Sequence, residues 1–163
     1  MTIAEWCLFG AVMLYLLTIA PAKALGHREF DNSAPRDPAF YDHPVRKRAL
    51  GAHVNGIETF PFFAAAVLLA EFRHAPQTWT DGLAAGFLVC RIGFVAAYIG
   101  NKASLRTAMW NIAMAFNLAI FFLSGFGVAG ATLALAIGVG FALAVGLLLW
   151  TKDRRGAADE ERG

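Results

Sequence analysis

Apolar residues in this chain gather into long runs separated by short polar breaks, and the runs are long enough to cross a bilayer. A hydrocarbon core of roughly 30 Å takes about 20 apolar residues in a helix. The first run predicts a helix over residues 3–22, ending near Pro21. A polar segment, 23–48, follows with Pro35, Pro38 and Pro44 in it. The pattern then predicts a second helix over 48–72, a loop at His74-Ala75-Pro76-Gln77, a third helix over 81–100, and a fourth from Leu105. From Ala108 to Trp150 there are 43 residues without a charge. As one straight helix they would measure about 64 Å at 1.5 Å per residue, twice the hydrocarbon thickness. Ser124-Gly125-Phe126-Gly127 and Gly130 read as a turn, so the run divides into the fourth helix and a fifth span over 129–150. The alternative is a bent fourth helix that leaves the membrane.

Composition agrees with this reading. The chain has 163 residues, 58% of them hydrophobic, and a mean hydropathy of +0.53. Soluble domains usually hold about 45–50% apolar residues. The early run could be mistaken for a signal peptide, because Ala20-Pro21-Ala22 imitates a cleavage site. No Lys or Arg precedes Lys23, however, and a signal peptide needs a positive leading region, so we expect a mature first helix.

Charge sets an expected orientation, since Lys and Arg favour cytoplasmic loops. Lys23, Arg28, Arg36, Arg46, Lys47 and Arg48 follow the first helix, Lys102 and Arg106 lie at the third turn, and Lys152, Arg154 and Arg155 lie in the tail. With five spans all three groups fall on one side. That side is expected to be cytoplasmic, with the N-terminus and the Arg73 loop outside. The net charge of +2 gives no reason to expect a nucleic-acid partner. Cys7 and Cys90 sit alone in apolar runs, and His27, His43, His53 and His74 lack metal-ligand spacing, so no metal site is expected. Gly130, Ala134, Gly138, Ala142 and Gly146 repeat every four residues, a small-residue pattern that permits close helix approach.

The candidate chemistry lies at membrane depth. A charge there costs roughly 2.5–3.5 kcal/mol even on the mild insertion scale. Glu58 and Arg91 are the charged residues, with Asn55, Asn111 and Asn117 as neutral companions. Glu58 lies ten residues past Arg48 and Arg91 nine before Gly100, so both sit about 15 Å deep. Matched depth suggests a contact between them, within one chain or between subunits. A purely structural ion pair is the simpler account. Against it, Arg48, Asn55, Glu58 and Phe62 share one helix flank, as do Arg91, Phe94 or Val95, and Tyr98, while Arg106 and Thr107 open the next helix on the same side. Together they describe a polar funnel, deep at Glu58 and Arg91 and open at Arg48, Tyr98 and Arg106. Arginines there would hold carboxylates, Glu58 would hold an amine, and a cationic neighbour would favour a thiolate.

The same residues carry a resemblance. The run 48–63 (RALGAHVNGIETFPFF) resembles the signature of the MAPEG superfamily, the membrane-associated proteins in eicosanoid and glutathione metabolism. The run 91–98 (RIGFVAAY) with Leu105-Arg106-Thr107 is similar to the helix 3–4 region of its prostaglandin E and leukotriene C4 synthases, and 58–66 looks most like the small bacterial branch. The resemblance covers residues 1–125 as a four-helix membrane domain, leaving 126–150 as an additional spanning helix and 151–163 as a charged cytoplasmic tail. It implies an all-α integral membrane bundle, a homotrimer in a bacterial inner membrane, with glutathione as co-substrate between adjacent subunits near the cytoplasmic face. By position, Arg106 would stabilise the thiolate, and Arg48, His53, Asn55, Glu58, Arg91, Tyr98 and Thr107 would bind the tripeptide. Three departures stand out: many members have an arginine where this chain has Gly51, a histidine or tyrosine where it has Phe94, and a helix 1 arginine for which Arg28 and Lys23 are the candidates here. Three functions follow for test: a glutathione transferase or peroxidase acting on lipophilic electrophiles or lipid hydroperoxides, a non-catalytic lipid- or ligand-binding protein of the same fold, and a small transporter.

Overall fold

The structure is a computed structural model that describes residues 1–160. Helix α1, Ile3–Thr18, begins at a capping box in which Thr2 Oγ1 accepts from the Glu5 N–H and the Glu5 carboxylate accepts from the Thr2 N–H. The expected single helix over 3–22 is instead two. Ile19 ends α1, and α2, Ala20–Leu25, restarts with Pro21 in its first turn, where the missing N–H costs nothing. A short 3₁₀ turn, Pro38–Tyr41, precedes α3, Pro44–Phe72. Pro44 opens α3 four residues earlier than the apolar pattern predicts, because proline's fixed φ suits a first helical position. Helix α4 is Gln77–Ile99, starting directly after Pro76 rather than at Asp81.

The last helical stretch, Ala103–Glu160, is broken at Gly127, whose backbone stands at φ 66° and ψ −163°. A side chain rarely tolerates that conformation, and glycine adopts it freely. We number the two parts α5 (103–126) and α6 (128–160). α6 doubles back along α5: Ala131, Ala134 and Leu135 join the core that holds Ala119 and Leu123, and Gly138 lies so close to Ala115 that any β-carbon on it would clash with that side chain. The small-residue repeat is therefore used inside the chain, packing α6 on α5. The stretch is not one continuous rod. The helix continues past Trp150, so the charged tail expected over 151–163 starts as helix, and 161–163 lie outside the described residues.

Among the described residues, four stretches are long and apolar enough to cross a membrane: Ile3–Leu25, Pro44–Phe72, Gln77–Ile99 and the doubled Ala103–Leu149. The protein is an all-α integral membrane bundle, and no strand occurs among the described residues. Its core is built from small residues and a few rings. Phe63 of α3 stacks on Phe87 of α4 with centroids 3.9 Å apart, and Ala66, Ala84, Ala113 and Ala119 are fully buried around them. Polar ties close both ends. At one, Thr2 Oγ1 and Gln77 Nε2 donate to Glu71, and Gln77 and the Ala4 N–H donate to Asp81, at 2.8–3.0 Å. At the other, Arg46 donates to Glu29 at 2.6 Å and to the Phe40 carbonyl at 3.2 Å, with its guanidinium 4.7 Å from the Phe40 ring. That second clasp folds the polar segment over the start of α3.

Candidate functional site

Helices α3 and α4 bring most of the predicted polar residues into one line. Deepest is Arg91, only 3% exposed, whose Nη1 donates to Asn55 Oδ1 at 2.9 Å. Its guanidinium lies 4.3 Å from the Phe94 ring centroid, Phe94 meets Tyr98 edge-on at 5.5 Å, and Arg106 of α5 lies 4.6 Å from the Tyr98 ring. The spacing 91, 94, 98 keeps these three on one flank of α4, and the short turn after Ile99 brings Arg106 back over it. Phe94, which stands where a polar residue was expected, serves as the apolar plate between Arg91 and Tyr98. Nearer the helix ends, Arg48 Nε donates to the Ile99 carbonyl at 3.0 Å, a cation on a helix C-terminus.

Gly51 has a physical reason to be glycine. A β-carbon there would lie 2.5 Å from Tyr98 Oη and 2.9 Å from its Cζ. The phenol occupies the space that a side chain at 51 would need, so the position cannot hold an arginine while Tyr98 stays in place.

Within the single chain, several residues that the sequence grouped lie apart. Among the described residues no ion pair joins Glu58 to Arg91; the pairs present are Met1–Glu5 and Arg46–Glu29. Glu58 is exposed on α3, with Ile57, 48% exposed, and Phe62, 64% exposed. His53 does not join the line either. It lies five residues past Arg48, about 140° around the helix, and its Nδ1 meets the Tyr15 carbonyl of α1 at 2.7 Å. Thr107 Oγ1 donates to the carbonyl of Ala103 at 3.1 Å, and Asn111 Nδ2 to that of Thr107 at 2.8 Å, so both serve their own helix. Asn117 is buried with its Oδ1 unpartnered.

Arg48, Arg91 and Arg106 thus converge with no carboxylate paired to any of them among the described residues. Sequence reasoning missed Arg36, which joins Lys23 and His53 around a cavity on the other flank of α3. Arg36 sits in an irregular segment, where no periodicity places a side chain.

A helical membrane bundle with a line of arginines and aromatic rings running between α3, α4 and α5 is the class these features define. Residues 3–126 match the MAPEG family. The chain belongs to that family, and the match stops one residue before the break at Gly127. Searches of the curated proteins and of the solved structures find no match.

Proposed function

We propose that the protein is a glutathione-dependent membrane enzyme, a transferase or peroxidase acting on lipophilic electrophiles or lipid hydroperoxides. The observation that carries this reading is the line Asn55–Arg91–Phe94–Tyr98–Arg106 with three uncompensated arginines. Glutathione brings two carboxylates that forked guanidinium donors suit, an ammonium that Glu58 would meet, and a thiol. Arg106, half-buried at the mouth, is the residue placed to favour the thiolate, which is the nucleophile. That thiolate would attack an electrophilic carbon as its leaving group departs, or the outer oxygen of a hydroperoxide as the O–O bond breaks. Tyr98 and Phe94 hold the arginines in place, and Arg48 and Thr107 flank the opening.

A homotrimer completes the proposal. Glu58 is exposed in the single chain, yet it lies well inside α3 among Ile57, Pro61 and Phe62. A carboxylate facing lipid at that depth is costly, so a second copy covering this flank accounts for it. The positive residues of the polar segment, the α4–α5 turn and the tail support a cytoplasmic site in a bacterial inner membrane, with the N-terminus outside.

The test is consumption of glutathione by purified protein with an aryl halide and with a lipid hydroperoxide. Arg106→Ala should abolish turnover while the thermal transition stays in place. Absence of both glutathione binding and turnover in the wild type would sink the proposal. A non-catalytic ligand-binding role is the second reading, favoured by Tyr98 filling the space over Gly51.

A further inference from the structure

Between α1, α3 and α4 lies a narrow cavity beside Arg91, in which a water-sized sphere has about 10 Å³. That is the room of one water, and too little for a tripeptide or an acyl chain. Much of the wall is apolar, including Ala11, Phe87 and Val95, and its polar side chains are Tyr15, Thr18, Thr59 and Arg91. Arg91 is 3% exposed and has five N–H donors, one of which, on Nη1, is spent on Asn55. The Phe94 ring attracts the charge but supplies no lone pair. No acceptor among the described residues takes the remaining donors. At membrane depth lipid offers none either, and a buried cation with unmet N–H groups is costly.

Two hydroxyls on the cavity wall have acceptor capacity to spare. Thr18 Oγ1 donates to the Leu14 carbonyl at 2.6 Å, and Thr59 Oγ1 to the Asn55 carbonyl at 2.8 Å. A hydroxyl has one proton and two lone pairs, so with the proton used on its own helix the lone pairs remain. Neither hydroxyl is bonded to Arg91 directly. A group that joins them must accept from the guanidinium and donate to a hydroxyl. Water does both, whereas a halide or a carboxylate can only accept.

We propose that this cavity is a water-binding site, in which one ordered water accepts from Arg91 and donates to Thr18 on α1 or Thr59 on α3. The water is a second acceptor for the buried guanidinium and, with Asn55 and Phe94, fixes its position. Thr18 and Thr59 are thus positioning residues that act on Arg91 through the water. The site stands whether or not the protein binds glutathione, because every partner lies inside the bundle.

The experiment uses the full chain in phosphatidylcholine bilayers, with threonine and arginine labelled for magic-angle-spinning NMR, and reads magnetisation passed from water. The methyl of Thr18 or Thr59, 4% and 6% exposed, should receive it together with the Arg91 guanidinium, whose signal is assigned by its loss in Arg91→Met. The responding threonine identifies the acceptor. Thr18→Val with Thr59→Val removes both acceptors and keeps the shape, so the transfer to Arg91 should be lost. The thermal midpoint should then fall by about 2–4 °C, the scale of one hydrogen bond in a chain of this size. Thr18→Ser with Thr59→Ser keeps both hydroxyls and should keep the transfer. No transfer to either threonine would overturn the proposal. So would an unchanged or raised midpoint in the valine pair, since a dry cavity favours the apolar side chain. Loss of transfer in the serine pair counts against it equally, as does a midpoint that shifts when bromide replaces chloride, which would assign the space to a halide.

Discussion

Arg91 can be tested for whether the fold needs it. Replacing it with methionine removes one charge-assisted hydrogen bond, about 1.5–3 kcal/mol, and a cation–aromatic contact of about 1–2 kcal/mol. The same change relieves the burial of a charge at membrane depth, about 2.5–3.5 kcal/mol. The two sides nearly cancel, so Arg91→Met should alter stability by no more than about 1 kcal/mol. Asn55→Leu differs in kind. It removes the 2.9 Å partner but leaves the buried guanidinium, so the loss of about 1.5–3 kcal/mol has no offset. For a chain of this size each kcal/mol moves the midpoint by about 2–4 °C. Asn55→Leu should therefore lower Tm by about 3–12 °C, and Arg91→Met by less than about 4 °C. The double substitution should recover most of the Asn55→Leu loss. The assay is thermal unfolding in detergent followed with a thiol-reactive dye, which reports exposure of the buried Cys7. If Arg91→Met falls as far as Asn55→Leu, the arginine is a structural clamp, and the argument that it is kept for a ligand fails.

Two further outcomes follow from the backbone and from the polar segment. Gly127→Ala forces a side chain into a positive φ at a cost of about 1–3 kcal/mol. It should loosen the α5–α6 hairpin, read as faster hydrogen exchange over residues 128–138 than in the unsubstituted protein. Glu29 sits below its ordinary value of 4.5, first because Arg46 donates a hydrogen bond to it and then because of that residue's charge. A depressed carboxylate contributes stability above the unfolded value and loses it as pH falls through the folded value. Hydrogen exchange in residues 26–43 should accordingly quicken below about pH 4, and Glu29→Gln should show the quicker exchange already at neutral pH.

The runs of apolar residues determined the helices and the membrane, because a span needs only length and hydropathy, both written locally. Helical spacing also put Arg91 and Tyr98 on one flank of α4 with Phe94 or Val95 between them, and packing selected Phe94. The turn at Gly127 was legible as a glycine cluster, although its doubling back on Ala115 was not. Matched depth, by contrast, could not decide partners. Glu58 and Arg91 share a level in the membrane, but in the single chain Glu58 is exposed and α3 offers Asn55 in its place. Gly51 read as a loss until Tyr98 was seen to fill its space. The approach of Lys23 and Arg36 to His53 depended on how the polar segment folds back through the Arg46 clasp. Depth and face follow from a helix's own period, whereas contact depends on the rotation of each helix about its axis, and only packing against its neighbours sets that.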